Sequence, residues 1–81
     1  MTVTIELFAV LSQAVNAQKV SLELPDSATV GQLLSLLPKS YPQLTPLLAS
    51  VSVAVNMSYA TAEDVLSEAD QVALIPPVSG G

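Results

Sequence analysis

The last six residues of the sequence carry the groups with the clearest chemical potential. They read Pro76-Pro77-Val78-Ser79-Gly80-Gly81, and they contain two of the three glycines in the chain. Glycine has no Cβ, so such a tail can thread a narrow channel and bring its carboxylate close to a reacting phosphate. A carboxylate is a poor electrophile until it is activated. Because the sequence has no glycine-rich phosphate-binding loop, we expect a separate ATP-using enzyme to adenylate it.

Two prolines define the root of this tail. Pro76 and Pro77 follow an apolar run, and they end the strand because proline cannot contribute to a β-ladder. The four residues from Val78 onward span at most about 14 Å when extended, which would carry the carboxylate into another protein's active site. We therefore divide the chain into a globular domain, residues 1–75, and an extended tail, residues 76–81. The alternative is a flexible end without a function.

The other side chains offer little chemistry of their own. The 81 residues include no Cys and no His, which excludes a thiolate nucleophile, an imidazole base, a disulfide and an ordinary zinc site. Two basic residues, Lys19 and Lys39, stand against seven acidic residues, for a formal net charge of −5. Nucleic-acid binding needs clustered basic residues, so it is excluded as a main activity.

Length and hydropathy indicate one small cytoplasmic domain. The sequence begins without a basic segment typical of a secretory signal, and no apolar stretch approaches the length of a membrane span. Apolar residues make up 51% of the chain, more than so small a core needs. The surplus either forms an interface with a partner or consists of the exposed apolar residues that any protein surface carries.

Hydrophobic periodicity predicts a hairpin followed by a helix. Residues 3–7 and 20–24 each alternate apolar and polar side chains, as two antiparallel strands joined by a short connection would. Thr29 and Gln32 have the spacing of a capping box, which predicts that a helix begins there. Pro38 should end or kink that helix, because it cannot donate a backbone hydrogen bond.

The second half of the chain predicts a return to strands. Val65 and Leu66 are the expected core anchors of a polar, acidic segment. The predicted elements are strands at 51–55 and 71–75, a turn at 56–58 and a short edge at 59–60. This order favours an α+β fold, a β-grasp (ubiquitin-like) roll with a mixed sheet of about five strands and one main helix packed across it.

These features resemble the ubiquitin-like sulfur carriers, a family that includes the small subunit of molybdopterin synthase (MoaD) and the thiazole-forming carrier ThiS. The resemblance spans essentially the whole chain. Its most specific part is the Ile-Pro-Pro-Val-Ser-Gly-Gly ending at 75–81, preceded by Asp-Gln-Val-Ala-Leu at 70–74. Val-Ala-Val-Asn at 53–56 and, more weakly, Leu-Phe-Ala at 7–9 add to it.

The resemblance implies an activity for the tail. A ubiquitin-activating-type adenylyltransferase would use ATP to adenylate the Gly81 carboxylate, which would then become a thiocarboxylate. Val78, Ser79 and Gly80 would enter the large catalytic subunit of molybdopterin synthase, in a heterotetramer of two large and two small subunits. There the thiocarboxylate would donate sulfur to cyclic pyranopterin monophosphate and build the dithiolene of molybdopterin. The catalytic residues are expected on the large subunit, and no bound cofactor or metal is expected here.

Other surface positions have two interpretations each. If the pleat of the first strand continues, Phe8 lies on its polar side and would anchor the partner interface, whereas a bulge would turn it into the core. Pro76 and Pro77 are expected in the interface as the root of the inserted tail. An acidic cluster is either a solvated face or a docking surface for a basic patch on the activating enzyme; it comprises Glu63, Asp64, Glu68 and Asp70.

The sequence departs from the family pattern at local turns. Family members often carry Arg-Glu where this chain has Ser12 and Gln13, and Gly where it has Asn16. Ala69 replaces the Gly of a Gly-Asp turn, and it would be strained by about 1 kcal/mol or more if that position needs a positive φ. These departures concern how the surface of the chain contacts its partners more than they concern the activity of the tail.

The same activated carboxylate could serve other functions. A ubiquitin-like protein modifier would join Gly81 to lysine side chains of its targets. A carrier of the thiazole pathway would also use a thiocarboxylate, although those chains are usually shorter and lack the proline pair. An adaptor domain with an inert tail is the remaining alternative.

Overall fold

A five-stranded mixed sheet forms the frame of the computed structural model, which describes residues 1–77. The strand order is β2-β1-β5-β3-β4; β1 pairs in parallel with β5, and the other neighbours are antiparallel. The predicted α+β roll is confirmed. The strands are β1 (Thr2–Leu7), β2 (Lys19–Glu23), β3 (Ser52–Val55), β4 (Ser58–Tyr59) and β5 (Val72–Ile75), and the helices are α1 (Val10–Val15), α2 (Val30–Ser40) and a 3-10 helix (Pro42–Ser50).

The hydrophobic core lies between one face of this sheet and α2. The alternation predicted for β1 is confirmed, because Val3, Ile5 and Leu7 are all buried. From the helix, Leu33 and Leu37 are completely buried in the same cluster. Full burial of each such side chain stabilises the fold by about 1.5–3 kcal/mol. Within residues 1–77, no helix has both the length and the apolar character needed to cross a membrane.

The predicted capping box begins α2. Thr29 Oγ1 accepts a hydrogen bond from the Gln32 N–H at 3.2 Å, and the Thr29 N–H donates to Gln32 Oε1 at 2.8 Å. In the first turn, the Gly31 N–H donates to the Ala62 carbonyl at 3.0 Å. A Cβ on Gly31 would lie 3.2 Å from that oxygen, so glycine permits the close approach of the following loop.

α2 ends two residues after Pro38, in agreement with the predicted end near this proline. The helix continues to Ser40, and the Tyr41 N–H donates to the Leu37 carbonyl at 2.9 Å, which closes the last turn. Proline removes the hydrogen bond that its own N–H would have made, and its ring crowds the carbonyl one turn earlier. The helix therefore extends only a short way beyond Pro38, while the neighbouring Leu37 is completely buried.

The connection between β1 and β2 contains a helix, where the sequence predicted only a short connection. α1 fully buries Leu11, and Ala14 and Val15, three and four residues later, are partly buried against the core. A helix of six residues is too short for this spacing to be a clear signal in the sequence. Asn16 ends it in the left-handed region, at φ 56° and ψ 41°, and its N–H donates to the Gln13 carbonyl. Asparagine tolerates this conformation, which explains why it can stand where family members often have Gly.

The loop between β4 and β5 is anchored by one residue of the predicted pair. Leu66 is buried, and its N–H donates to the Ala28 carbonyl at 2.8 Å. Val65 is 60% exposed, so its prediction as a core anchor is wrong. Val65 forms a β-bridge with Thr29, and in such extended backbone successive side chains point to opposite sides. Only one of the two adjacent residues can therefore face the core.

Candidate functional site

The sheet face opposite α2 carries an apolar groove of about 300 Å³. The strand register pairs Glu6 with Ala73, Ala73 with Ala54, and Ala54 with Tyr59. Directly paired residues point to the same side of a sheet, so these side chains form one row across it. We call this surface the open face; its apolar members in the groove are Phe8, Ala54, Met57, Tyr59, Ala73 and Ile75.

A second apolar hollow, of about 470 Å³, lies where the tail leaves the domain. It is lined by Phe8, Ala9, Ile75, Pro76 and Pro77. Phe8 and Ile75 also line the first groove, so the apolar surface continues from the open face to the root of the tail. The structure thus brings together three predicted interface residues, Phe8, Pro76 and Pro77.

Phe8 is a surface residue. It is 46% exposed, which excludes the alternative that a bulge turns it into the core. β1 ends at Leu7, and a tight turn follows in which the Leu11 N–H donates to the Phe8 carbonyl at 3.0 Å. This turn carries Leu11 into the core and leaves Phe8 on the side of the open face. Its role as an interface anchor remains a prediction.

Ala9 holds the strained position of this turn. Its φ of 51° and ψ of −125° match the first central residue of a type II′ turn, a position that favours glycine. An alanine there costs on the order of 1–3 kcal/mol. Ala69, which would be strained if its position needed a positive φ, is not among the described residues with positive φ. The sequence did not indicate the positive φ at position 9, because the usual signal for such a turn is a glycine and this chain has an alanine there.

The β3–β4 hairpin places Met57 and Tyr59 at the other end of the groove. Asn56 and Met57 have φ values of 53° and 70° between the paired residues Val55 and Ser58, as in a two-residue type I′ turn. The predicted turn is confirmed. The sequence did not reveal that the Asn56 side chain also donates to Asp70 at 2.9 Å.

Two members of the acidic cluster close local turns. Asp64 Oδ2 accepts from the Thr61 N–H at 2.9 Å, and Asp70 Oδ2 accepts from the Ser67 N–H at 2.7 Å. The sequences Thr-Ala-Glu-Asp and Ser-Glu-Ala-Asp thus fold in the same way on either side of Val65 and Leu66. A structural role accounts for these two carboxylates, and docking of an activating enzyme on the cluster remains a prediction.

The described part of the chain keeps its polar and charged side chains exposed or only partly buried. Within residues 1–77, no polar or charged residue is buried, and no group of three acidic side chains is placed to hold a metal ion. Paired carboxylates need an enclosing apolar site to serve as acid and base at neutral pH. The predicted tail residues Val78, Ser79, Gly80 and Gly81 lie outside the described residues.

Comparison with known proteins identifies relatives along the whole chain. Residues 5–81 match the model of the ThiS family. The protein named molybdopterin synthase sulfur carrier subunit from Dictyostelium discoideum is 35% identical over 78 residues, which cover 93% of this chain and 91% of that protein. Small archaeal modifier protein 1 from Haloferax volcanii is 31% identical over 84 residues, with 94% and 97% coverage.

Solved structures share the fold. The crystal structure of SAMP1 from Haloferax volcanii is 28% identical and matches with a TM-score of 0.87, covering both chains completely. A chain in the complex of subunits 1 and 2 of molybdopterin-converting factor from Helicobacter pylori 26695 matches with a TM-score of 0.70, again over both complete chains. At 21% identity the second likeness concerns the fold alone.

Proposed function

The chain belongs to the ThiS family, and from this premise we propose that it is the sulfur-carrier subunit of a molybdopterin synthase. A ubiquitin-activating-type enzyme adenylates the Gly81 carboxylate with ATP, and a sulfur source converts the adenylate to a thiocarboxylate. The tail then enters the large catalytic subunit, where it donates sulfur to cyclic pyranopterin monophosphate. The carrier itself binds no cofactor, and it works in the cytoplasm, where ATP is available.

The continuity of the apolar surface with the root of the tail is the observation that carries this proposal. Phe8 and Ile75 line both the groove and the hollow beside Pro76 and Pro77. A partner seated on the open face therefore also covers the point where the tail begins. The four residues beyond Pro77 reach at most about 14 Å, so the partner's active site must lie within that distance of the interface.

The negative charge of the chain indicates which charge a complementary partner surface should carry. Glu6 is the charged residue that lines the groove, and the chain as a whole has a net charge of −5. A complementary partner has an apolar centre with basic residues at its rim. The large subunit of molybdopterin synthase fits this role in the proposal, in a complex of two large and two small subunits. The activating enzyme is its second partner.

The direct test of activation is a mass measurement on the tail. The full-length chain is incubated with ATP, the activating enzyme of the same organism and a sulfur source. We expect the C-terminal peptide to gain the mass difference between sulfur and oxygen. A chain lacking Gly81 should fold normally, because the core ends at β5, but should gain no mass. An unchanged wild-type peptide would contradict the proposal.

A protein modifier is the second candidate function, and the similarity to the Haloferax modifier favours it. Such a protein would form an amide between Gly81 and a lysine of its target instead of keeping a thiocarboxylate. The two functions differ in their products. After digestion with a protease that cuts after glutamate, peptide mapping of proteins incubated with the activated chain would show residues 69–81 attached through Gly81 to target lysines only for the modifier. A thiazole-pathway carrier is a less favoured function, because carriers of that pathway usually lack the proline pair that this chain has at Pro76 and Pro77.

A further inference from the structure

The two methionines of the chain differ greatly in exposure. The Met1 side chain is 8% exposed, and its amino group donates to the Leu24 carbonyl at 2.6 Å. Met57 is 93% exposed at the tip of the β3–β4 hairpin. The chain contains no Cys, no His and no Trp, so an oxidant in solution meets few other reactive side chains. The Met57 thioether is therefore the group most open to oxidation.

Met57 also belongs to the candidate docking surface. It lines the groove of the open face together with Phe8, Tyr59 and Ile75. A thioether side chain is flexible and polarizable, and it makes favourable contacts with aromatic rings and irregular apolar surfaces. An added oxygen makes the same side chain polar and chiral, which disrupts interfaces of this kind. A change at this one sulfur atom would alter the surface that the partner must cover.

We propose that Met57 is an oxidation site in the docking surface, at which conversion to the sulfoxide by a peroxide weakens binding of the large subunit. A lone pair on the sulfur attacks one oxygen of hydrogen peroxide, an S–O bond forms and the O–O bond breaks. The second oxygen leaves as hydroxide and takes the proton of the transferred oxygen, which gives water and the sulfoxide. Sulfur is oxidised by two electrons, and the peroxide is reduced by two. The identity of the docked partner rests on the proposed function, whereas the position of the oxidation does not.

This modification is easily mistaken for loading of the tail. Exchange of oxygen for sulfur at Gly81 and oxidation of Met57 each add about 16 mass units. A protease that cuts after glutamate separates them, because Glu23, Glu63 and Glu68 place Met57 in the peptide 24–63 and Gly81 in the peptide 69–81. Met1 falls in a third peptide, 1–6.

The experiment uses the full-length chain in its carboxylate form, because a thiocarboxylate would itself react with peroxide. After treatment with dilute hydrogen peroxide, the peptide map should show sulfoxide on Met57 while Met1 remains largely reduced. Calorimetric titration with the large subunit should then give at least about a tenfold weaker affinity for the oxidised chain, equivalent to about 1.4 kcal/mol. Methionine sulfoxide reductases should restore the affinity.

The matched variant is Met57→Leu, which keeps an apolar side chain but has no thioether at this position. Its affinity after peroxide treatment is compared with its own affinity before treatment, and the two should agree. Equal oxidation of Met1 and Met57 would overturn the inference, as would undiminished binding by the oxidised wild type or a loss of binding by treated Met57→Leu. If the untreated wild type does not bind the large subunit, the proposed partner is wrong and the effect on docking falls with it.

Discussion

Asn56 and Gln71 exchange two hydrogen bonds. The Asn56 N–H donates to the Gln71 carbonyl at 2.8 Å, and the Gln71 N–H donates to the Asn56 side-chain oxygen Oδ1 at 3.0 Å. The side-chain amide of Asn56 also donates to Asp70. These bonds tie the β3–β4 hairpin to the start of β5, so Met57 and Tyr59 keep their positions beside Ile75 on the open face.

Substitutions at Asn56 should separate its hydrogen bonds from its backbone conformation. Asn56→Gly keeps the positive φ without strain but loses the side-chain bonds, and we expect a loss of about 1–2 kcal/mol in the free energy of unfolding. Asn56→Ala also places a Cβ in the left-handed region, which should cost about 1 kcal/mol more. Urea unfolding measures both. Equal stability of the two variants would contradict the backbone argument.

Replacing Ala9 by Gly should stabilise the protein. The substitution relieves the strain energy of the positive φ in the folded state. This relief is larger than the entropic cost of the more flexible unfolded chain, so we expect the free energy of unfolding to rise by about 1 kcal/mol. Ala69→Gly is the control, because Ala69 has no positive φ and its substitution should instead cost about 0.4–1 kcal/mol. If Ala9→Gly is destabilised as much as Ala69→Gly in urea unfolding, Ala9 is not strained.

Loss of the N-cap at Thr29 should weaken α2. Thr29→Ala removes the oxygen that accepts from the Gln32 N–H, and the expected cost is about 1 kcal/mol. Thr29→Ser retains an oxygen at that place and should lose much less. The free energy of unfolding, from urea titrations followed by circular dichroism, distinguishes the two. A Thr29→Ser variant as unstable as Thr29→Ala would show that the capping bond contributes little.

Truncation of Phe8 should impair docking more than folding. Phe8→Ala removes an exposed aromatic ring from the centre of the apolar surface, so the affinity for the large subunit should fall about tenfold or more. Val65→Ala is the control, because Val65 is similarly exposed but lies outside the open face, and it should bind normally. Unfolding of both variants is measured in parallel. Normal binding by Phe8→Ala would remove Phe8 from the proposed interface.

Elements with a strong local signal could be predicted from the sequence. The alternation in β1 and β2 and the capping box at Thr29 each depend on residues close together in the chain, and each is confirmed. The position of Phe8 outside the core was one of two predicted alternatives. The β-grasp order followed from these elements, because few arrangements cover one face of such a sheet with one helix.

Features that depend on distant residues could not be predicted in the same way. The bonds between Asn56 and Gln71 join positions 15 residues apart, and the residues next to either position do not indicate that the two meet. The strain at Ala9 follows from how the chain turns after β1, since alanine carries no signal for a positive φ. Val65 and Leu66 look equally apolar in sequence, and only the extended backbone decides which of them is buried.

Reconstituted sulfur transfer tests the central claim most directly. The full-length chain carrying a thiocarboxylate at Gly81 is mixed with the large subunit and cyclic pyranopterin monophosphate, without an activating enzyme or any other sulfur source. We predict that molybdopterin forms and that the C-terminal peptide 69–81 returns to the mass of the carboxylate. A thiocarboxylate that persists beside unreacted precursor would contradict the account.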